Sequence, residues 1–403
     1  MFTAVYTGMA GMAAFSKGLD TISNNVSNLN TNGYKGNEVL FADLFYGYQL
    51  SENNGGFDFN QFGNGVEAKN AQVNFKQGDL RDTGNNTDTA ISGLGFFVVR
   101  DGETTYYTRN GQFEFDKNGY LVTKNDGYRV ASLNKDGSLS DININELQIN
   151  APAATSKVTF TNNLSTGSSR HEVSDIEVID RAGNKHLLKA TFVNNGSVTP
   201  RSWIVEVSDS NGKSVAPAGE IRYQGNGSPA EGENSYTFTF TPEEGDPFDV
   251  TFFFGDPSTF VDTTSFAGGT TSDLKVATAN GHGPGSMMEA SFNTEGAFEV
   301  KYSNDETVKG PVLALARIDD LQSLKQLGGG LFVANSDLQV HVSTASHEGI
   351  GEIKGKSIEL SNIELTDQFT NLIIVQRGYQ ASSQILTTAN EMMQQLMDMV
   401  AKR

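Results

Sequence analysis

Two apolar stripes of helical period, one towards each end of a 403-residue chain, constrain its architecture more than any other feature. Met12, Phe15, Leu19, Ile22, Val26 and Leu29 alternate three- and four-residue steps, and Val5 and Met9 extend the pattern upstream. This spacing predicts a coiled-coil-like helix that stops by Thr31-Asn32-Gly33, where Gly33 suits a left-handed cap. Leu372, Val375, Tyr379, Ser382, Leu386, Ala389, Met393, Leu396 and Val400 keep the same alternation for four heptads. A single such stripe would pack on a globular core. Two of them are buried most simply against each other or against the ends of other copies, which makes the middle of the chain one long excursion.

The first helix is built from poor material. Asn24, Asn25, Asn28, Asn30 and Asn32 interrupt it, and asparagine offers the backbone other hydrogen-bond partners. A helix of this composition needs neighbours to hold it.

Between the stripes the chain reads as β structure. From 66 to 150, GFFVV, TTYYTR, QFEFD and YLVT alternate or run apolar, separated by Asn110-Gly111, Asn118-Gly119, Asp126-Gly127 and Asp136-Gly137, which predict hairpin turns. From 151 to 280 the strands become Thr-, Val- and Phe-rich, as in VTFTNNL, WIVEVSD and VTFFF, and fit a separate sandwich or barrel. From 286 to 360 the first style returns. The expected fold is therefore mainly β with terminal helices that pair as an inner layer, and a β-rich inner domain interrupted by an outer β insertion. Phe252, Phe253 and Phe254 predict a strand buried on both faces.

Charge follows the same division. The formal charge is -19, yet residues 1–35 carry only Lys17, Lys35 and Asp20, and residues 364–403 balance three basic against four acidic side chains. An acidic chain of this kind does not suit nucleic acid or anionic membrane surfaces. Cysteine is absent, which excludes disulfides, zinc-thiolate sites and thiol catalysis. The opening MFTAVYTGMAGMAAF lacks the basic start and long apolar run of a secretory signal, and no run of about 18 apolar residues could span a bilayer. The expectation is a chain without membrane insertion that is cytoplasmic or leaves the cell by a route that cleaves nothing.

LDTISNNVSNLNTNGYK followed by FADLF resembles the N-terminal signature of the bacterial flagellar rod and hook axial proteins, and SNIELTDQFTNLIIVQRGYQASSQILTTANEMMQQL resembles its C-terminal partner. ISGLGFFVV, YYTRNGQFEFDKNGYLVTKNDGYRV and ASFNTEGAFEVKYSNDETVKGPVLALARIDDLQSL are similar to β segments of the hook branch of that family, to which the length and the insertion also point. The resemblance implies self-assembly into a curved tube that acts as a universal joint between motor and filament. It implies partners in the rod below, the hook cap and hook-filament junction proteins above, and the flagellar type III export machinery, with an extracellular location reached without a cleaved signal. It divides the chain into terminal helical segments (1–35 and 364–403), connecting segments (36–71 and 355–363), an inner β domain (72–150 and 281–354) and an outer one (151–280). The apolar stripes become subunit-packing seams. Asn24, Asn25 and Asn28, with Gln376, Gln380 and Gln384, either bond between subunits or face channel water. Gly283, Pro284 and Gly285 fall where the family has a connector, a candidate hinge.

No residue pattern points to catalysis, a metal or a cofactor. The five histidines make no HExxH or i,i+4 pair. Asp116-Lys117-Asn118-Gly119 lacks the later ligands of a calcium loop and reads as a hairpin turn. Pairs such as Glu243-Glu244 and Asp319-Asp320 read as solvated acidic surface. Gly328-Gly329-Gly330 reads as a loop or as a sliding surface between subunits. The rival readings are a distal rod protein, which would form a straight shaft, and a secreted β-rich adhesin or glycan-active enzyme.

Overall fold

A computed structural model describes residues 2–44, 47–53, 56–62, 65–243, 245–335 and 338–401. Met1, Lys402 and Arg403 of the terminal segments, and Glu244 of the acidic pair, lie outside the described residues. Among those described, α-helix is confined to two elements, α1 (Phe2–Ser27) and α2 (Leu365–Ala401), and the rest is short strands and turns. Among the described residues no helix is long and apolar enough to cross a membrane. The chain divides into two compact units, one comprising Met1–Asn145, Ala290–Glu299 and Lys309–Arg403, the other Glu146–Glu289 and Val300–Val308.

In the first unit, α1 and α2 pair, and the β part is centred on the strand Phe96–Asp101. That strand is antiparallel to Thr104–Thr108, Arg129–Leu133 and Leu315–Ile318. Phe96 through Val99 are all buried, because Phe96 and Val98 enter one cluster with Tyr107, Ala316 and Phe332 while Phe97 meets Phe113 at 5.2 Å on the opposite face. The Asp116 turn is the expected hairpin: its Oδ1 accepts from the Asn118 and Tyr120 amides, and Gly119 takes φ +81°. Asn110-Gly111 is not a hairpin turn, since Phe113–Phe115 pairs onward with Leu121–Thr123. Gly111 is needed for close approach instead, a Cβ there falling 1.7 Å from the Thr89 carbonyl oxygen.

Helix α1 ends at Ser27, earlier than the stripe predicts, and Leu29 lies in the turn beyond it. The last helical bond runs from the Asn28 amide to the Asn24 carbonyl (3.2 Å), an oxygen that also accepts from the Asn28 side chain (2.9 Å), and the Leu29 amide then reaches only to Val26. Gly33 does take φ +69°, with no room for a Cβ against Asn110.

In the second unit, the antiparallel sheet Arg170–Ile179, Lys185–Asn194, Ser202–Asp209, Gly219–Arg222 shares one core with a mixed sheet built around Lys157–Asn163. The two sheets make a sandwich, with Phe160 against Phe192, Phe252 and Phe254 at 5.0 to 5.8 Å and Trp203 buried nearby. The Phe252–Phe254 strand corrects the expectation of burial on both faces. Phe252 and Phe254 enter the core, whereas Phe253 lies half-exposed on the other face beneath the Lys157 ammonium, 3.6 Å from the ring centroid.

Candidate functional site

The helices run antiparallel and meet through small residues. A Cβ on Gly11 would lie 2.6 Å from Ser382 Oγ, one on Gly18 3.1 Å from Val375, and one on Gly378 2.5 Å from the Phe15 ring. The buried face of α1 is thus Gly8, Gly11, Ala14, Gly18, Ile22 and Asn25. The predicted stripe and this face share Ile22, and every other buried residue stands one position ahead of a stripe residue, so the face is turned by less than about 100° round the helix. Backbones approach closely where side chains are small, so glycine and alanine take the contact line and the larger apolar residues flank it. Ile22 is buried; Met12, Phe15, Leu19 and Val26 are half-buried. On α2, Val375 is buried, Leu372, Leu386 and Met393 are half-buried, and Tyr379, Leu396 and Val400 are exposed. The spacing of Gly8, Gly11 and Gly18 on one helical face is the signal for this contact line, which a stripe of large side chains does not reveal.

Exposure on α2 goes further. Phe369, Ile373, Ile374, Ile385, Met392, Met397 and Met399 also face solvent, an amount of apolar surface that a helix of a self-contained domain would cover. Of the polar candidates, Asn25 spends itself within the chain. Its Nδ2 donates to the Asn37 carbonyl (2.8 Å) and Gln368 Oε1 (3.1 Å), and its Oδ1 accepts from the Asn37 amide and the Tyr34 hydroxyl. No capacity is left for a neighbour. Asn24 and Asn28 bond to each other, whereas Gln376, Gln380 and Gln384 are exposed, Gln380 accepting only from Arg377.

The roots of both helices are fastened by a buried charge cluster that sequence reasoning missed. Glu359, just ahead of α2, takes Lys35 Nζ at 2.6 Å on one oxygen and Arg109 at 3.3 Å on the other, all three being buried. Lys35 also donates to the Lys76 carbonyl, Arg109 to the Gly93 carbonyl, and the Gly78 amide to Glu359. Burial pulls the Lys35 ammonium and the Arg109 guanidinium below their ordinary values, with Glu359 opposing the shift in both. Two cations on one carboxylate, with Arg109 Nε lacking a protein partner, make an arrangement costly to open. Its members stand 324 and 250 residues apart, and nothing local in the sequence joins them.

Next to this cluster, a cleft of about 450 Å³ opens between α1, α2 and the segments leading to them. Ile22, Phe41, Ile363, Ile374 and Val375 supply its apolar lining, and Glu38, Glu364, Asp367 and Lys76 are charged groups around it.

The hinge candidates lie inside the second unit. The His282 and Ala153 backbones exchange both bonds of an antiparallel bridge, Asn304 donates to the Gly283 carbonyl at 2.9 Å, and Gly285 is buried against Asn304. Pro284 and Pro152 both crowd Gly183. Gly283, Pro284 and Gly285 are thus tied on several sides. The same unit holds a buried polar knot at Asp180, whose carboxylate accepts from the Ala182 and Asn184 amides, the Asn184 side chain and His186 Nε2. Burial pushes this carboxyl up, but the hydrogen bonds together outweigh it and hold the group well below the usual carboxylate range.

The chain is similar to known proteins along its whole length. The family model described as Flagella basal body rod protein matches residues 5–35, that of the Flagellar hook protein FlgE/F/G D1 domain residues 90–163, and that of the Flagellar basal body rod FlgEFG protein C-terminal residues 354–399. The Flagellar hook protein FlgE of Borreliella burgdorferi is 25% identical over 98% of this chain and 99% of its own. Those of Treponema pallidum and Escherichia coli K12 are each 27% identical, covering 98% and 97% of this chain and 98% of their own. In fold, the crystal structure of Helicobacter pylori flagellar hook protein FlgE2 matches with a TM-score of 0.50 at 13% identity, over 68% of this chain and 99% of that one. With both terminal helices, the inner β segments and the intervening insertion all matched, the chain is similar from end to end to the flagellar hook and rod proteins.

Proposed function

We propose that this chain is the structural, non-enzymatic subunit of a bacterial flagellar hook, polymerising into a curved flexible tube that carries motor torque to the filament. The observation that carries the reading is end-to-end similarity to relatives named as hook proteins, insertion included. The helix pair supports it physically, since exposed apolar surface on both flanks of α2 is what a subunit awaiting identical neighbours would present.

In the assembled tube, residues 1–35 and 364–403 form the inner layer, 36–71 and 355–363 connect, 72–150 and 281–354 form an inner β layer, and 151–280 an outer one. Tyr379, Leu396 and Val400 pack between copies together with the half-buried flanks Met12, Phe15, Leu19, Leu372, Leu386 and Met393. Gln376, Gln380 and Gln384 bond across copies or face the channel. The rod and the hook cap and junction proteins bound the tube, and type III export delivers the chain outside the cell without cleavage. Electron microscopy of material assembled from the purified chain tests this: curved tubes are expected, straight rods would favour a distal rod protein, and persistent monomers that bind or cleave carbohydrate would favour the adhesin or enzyme.

A further inference from the structure

Resting on that reading of the chain as a self-assembling subunit, we infer that the cleft at the base of the helix pair receives the α2 tip of a second copy. Four observations meet in this contact. The first is length. With Gly8 set against Ser382, Gly18 against Val375 and Asn25 against Gln368, the equal rise of two antiparallel helices brings the start of α1 level with about residue 391. Some ten residues of α2 run on beyond it.

The second is the character of that overhang. Met392, Leu396, Met397, Met399 and Val400 are all exposed. At 100° per residue they cover an arc of about 160°, wider than a lateral contact with one helix covers, so the tip needs partners on more than one side, as a cleft provides. The third is the cleft itself, whose lining includes the exposed rings and chains of Phe41 and Ile374 beside buried Ile22 and Val375.

The fourth is charge. Among the described residues, Glu38, Glu364 and Asp367 outnumber Lys76 around the cleft, while residues 391–403 balance Glu391 and Asp398 against Lys402 and Arg403. The overhang therefore adds no net charge to an acidic rim, its two cations offsetting Asp398 where it would enter, and the contact is left to the apolar side chains.

Tip and cleft stand at opposite ends of the helix pair, so the contact is heterologous. Between copies that point the same way, as in a tube, it repeats head to tail and gives a row of copies. Residues near 370 and 398 are separated by about 42 Å of helix, which sets the spacing of copies along the row.

Tubes grown from the unaltered chain, imaged by cryo-electron microscopy, are the primary test. The inference expects α2 tip density within the cleft of the next copy in the row and neighbours about 42 Å apart along the helix direction. A tip lying against any other surface overturns it. Because the chain has no cysteine, an Asn371→Cys/Val400→Cys double variant gives a second readout. The two positions are too far apart for a bond within one chain, so oxidised tubes should run as a reducible ladder of multimers, each single variant stopping at dimers. Double-variant tubes that oxidise without a ladder contradict the contact. Failure of the unaltered chain to form any tube counts against the hook reading itself, which separates the two failures.

Discussion

The insertion sandwich and the terminal helix pair solve the problem of burial in opposite ways. In the sandwich, Phe160, Phe192, Trp203, Phe252 and Phe254 close a core between two sheets, and the strand faces outside it are mostly polar, with Leu187 exposed and Phe253 covered by a lysine. In the helix pair, glycines and alanine occupy the contact line while isoleucines, methionines and Phe369 remain in solvent. One region buries most of its large apolar side chains within a single chain, Phe260 and Phe266 of its loops excepted; the other leaves many of its largest side chains exposed. The contrast separates what folds this protein from what assembles it.

The most damaging changes should strike each region at its own anchor. Glu359→Ala leaves Lys35 and Arg109 buried without their carboxylate and should cost about 3–5 kcal/mol, loosening the helix roots. Denaturant unfolding followed by far-ultraviolet circular dichroism should show the loss, while the fluorescence transition of Trp203, the only tryptophan, holds its midpoint. An equal shift of both signals would break the distinction. Phe160→Ala is the mirror experiment. It removes a ring with three aromatic neighbours, should also cost about 3–5 kcal/mol, and should move the Trp203 transition alone.

Smaller effects sharpen the comparison. Gly378→Ala forces a Cβ towards the Phe15 ring and should cost about 1–3 kcal/mol of helix-pair stability; no change in helix melting would mean that the close approach is not maintained in solution. Acid should act on the sandwich. Asp180 has a folded pKa held well below its ordinary 3.8, so its contribution is fully present above that value and is lost as pH falls below it and through the lower folded pKa. Fluorescence-detected unfolding of the wild type and Asp180→Asn should differ near neutrality and converge in acid, and a constant difference would assign the knot another role. Gln376→Ala should change monomer stability by no more than about 0.5 kcal/mol; a larger loss would place that side chain in an intrachain contact.

The sequence made the periodic features readable. Alternation and turn pairs located the strands around Phe96 and Asp116, and the two stripes located both helices, because amphipathic period is a local property. It was less informative where the deciding contact is distant. Lys35, Arg109 and Glu359 carry no local mark of burial, and Gly111 resembles a turn residue although its function is to let the Thr89 carbonyl come close. The early end of α1 at Ser27 falls among its asparagines, but the turn bonds that mark it, Leu29 to Val26 and Thr31 to Asn28, show only in the structure. Apart from Ile22, the contact face of α1 stands one residue ahead of the apolar stripe, because small residues take the closest approach and the larger stripe residues flank it.

Amide hydrogen exchange on the unassembled chain and on assembled tubes, read segment by segment, tests the central claim most directly. The account predicts that α2, above all the stretch from Met392 to Val400, exchanges readily in the monomer and becomes strongly protected in the tube, while Lys157–Asn163 and Ser202–Asp209 are equally protected in both. Full protection of α2 in the monomer, or a sandwich that gains protection only on assembly, would contradict it.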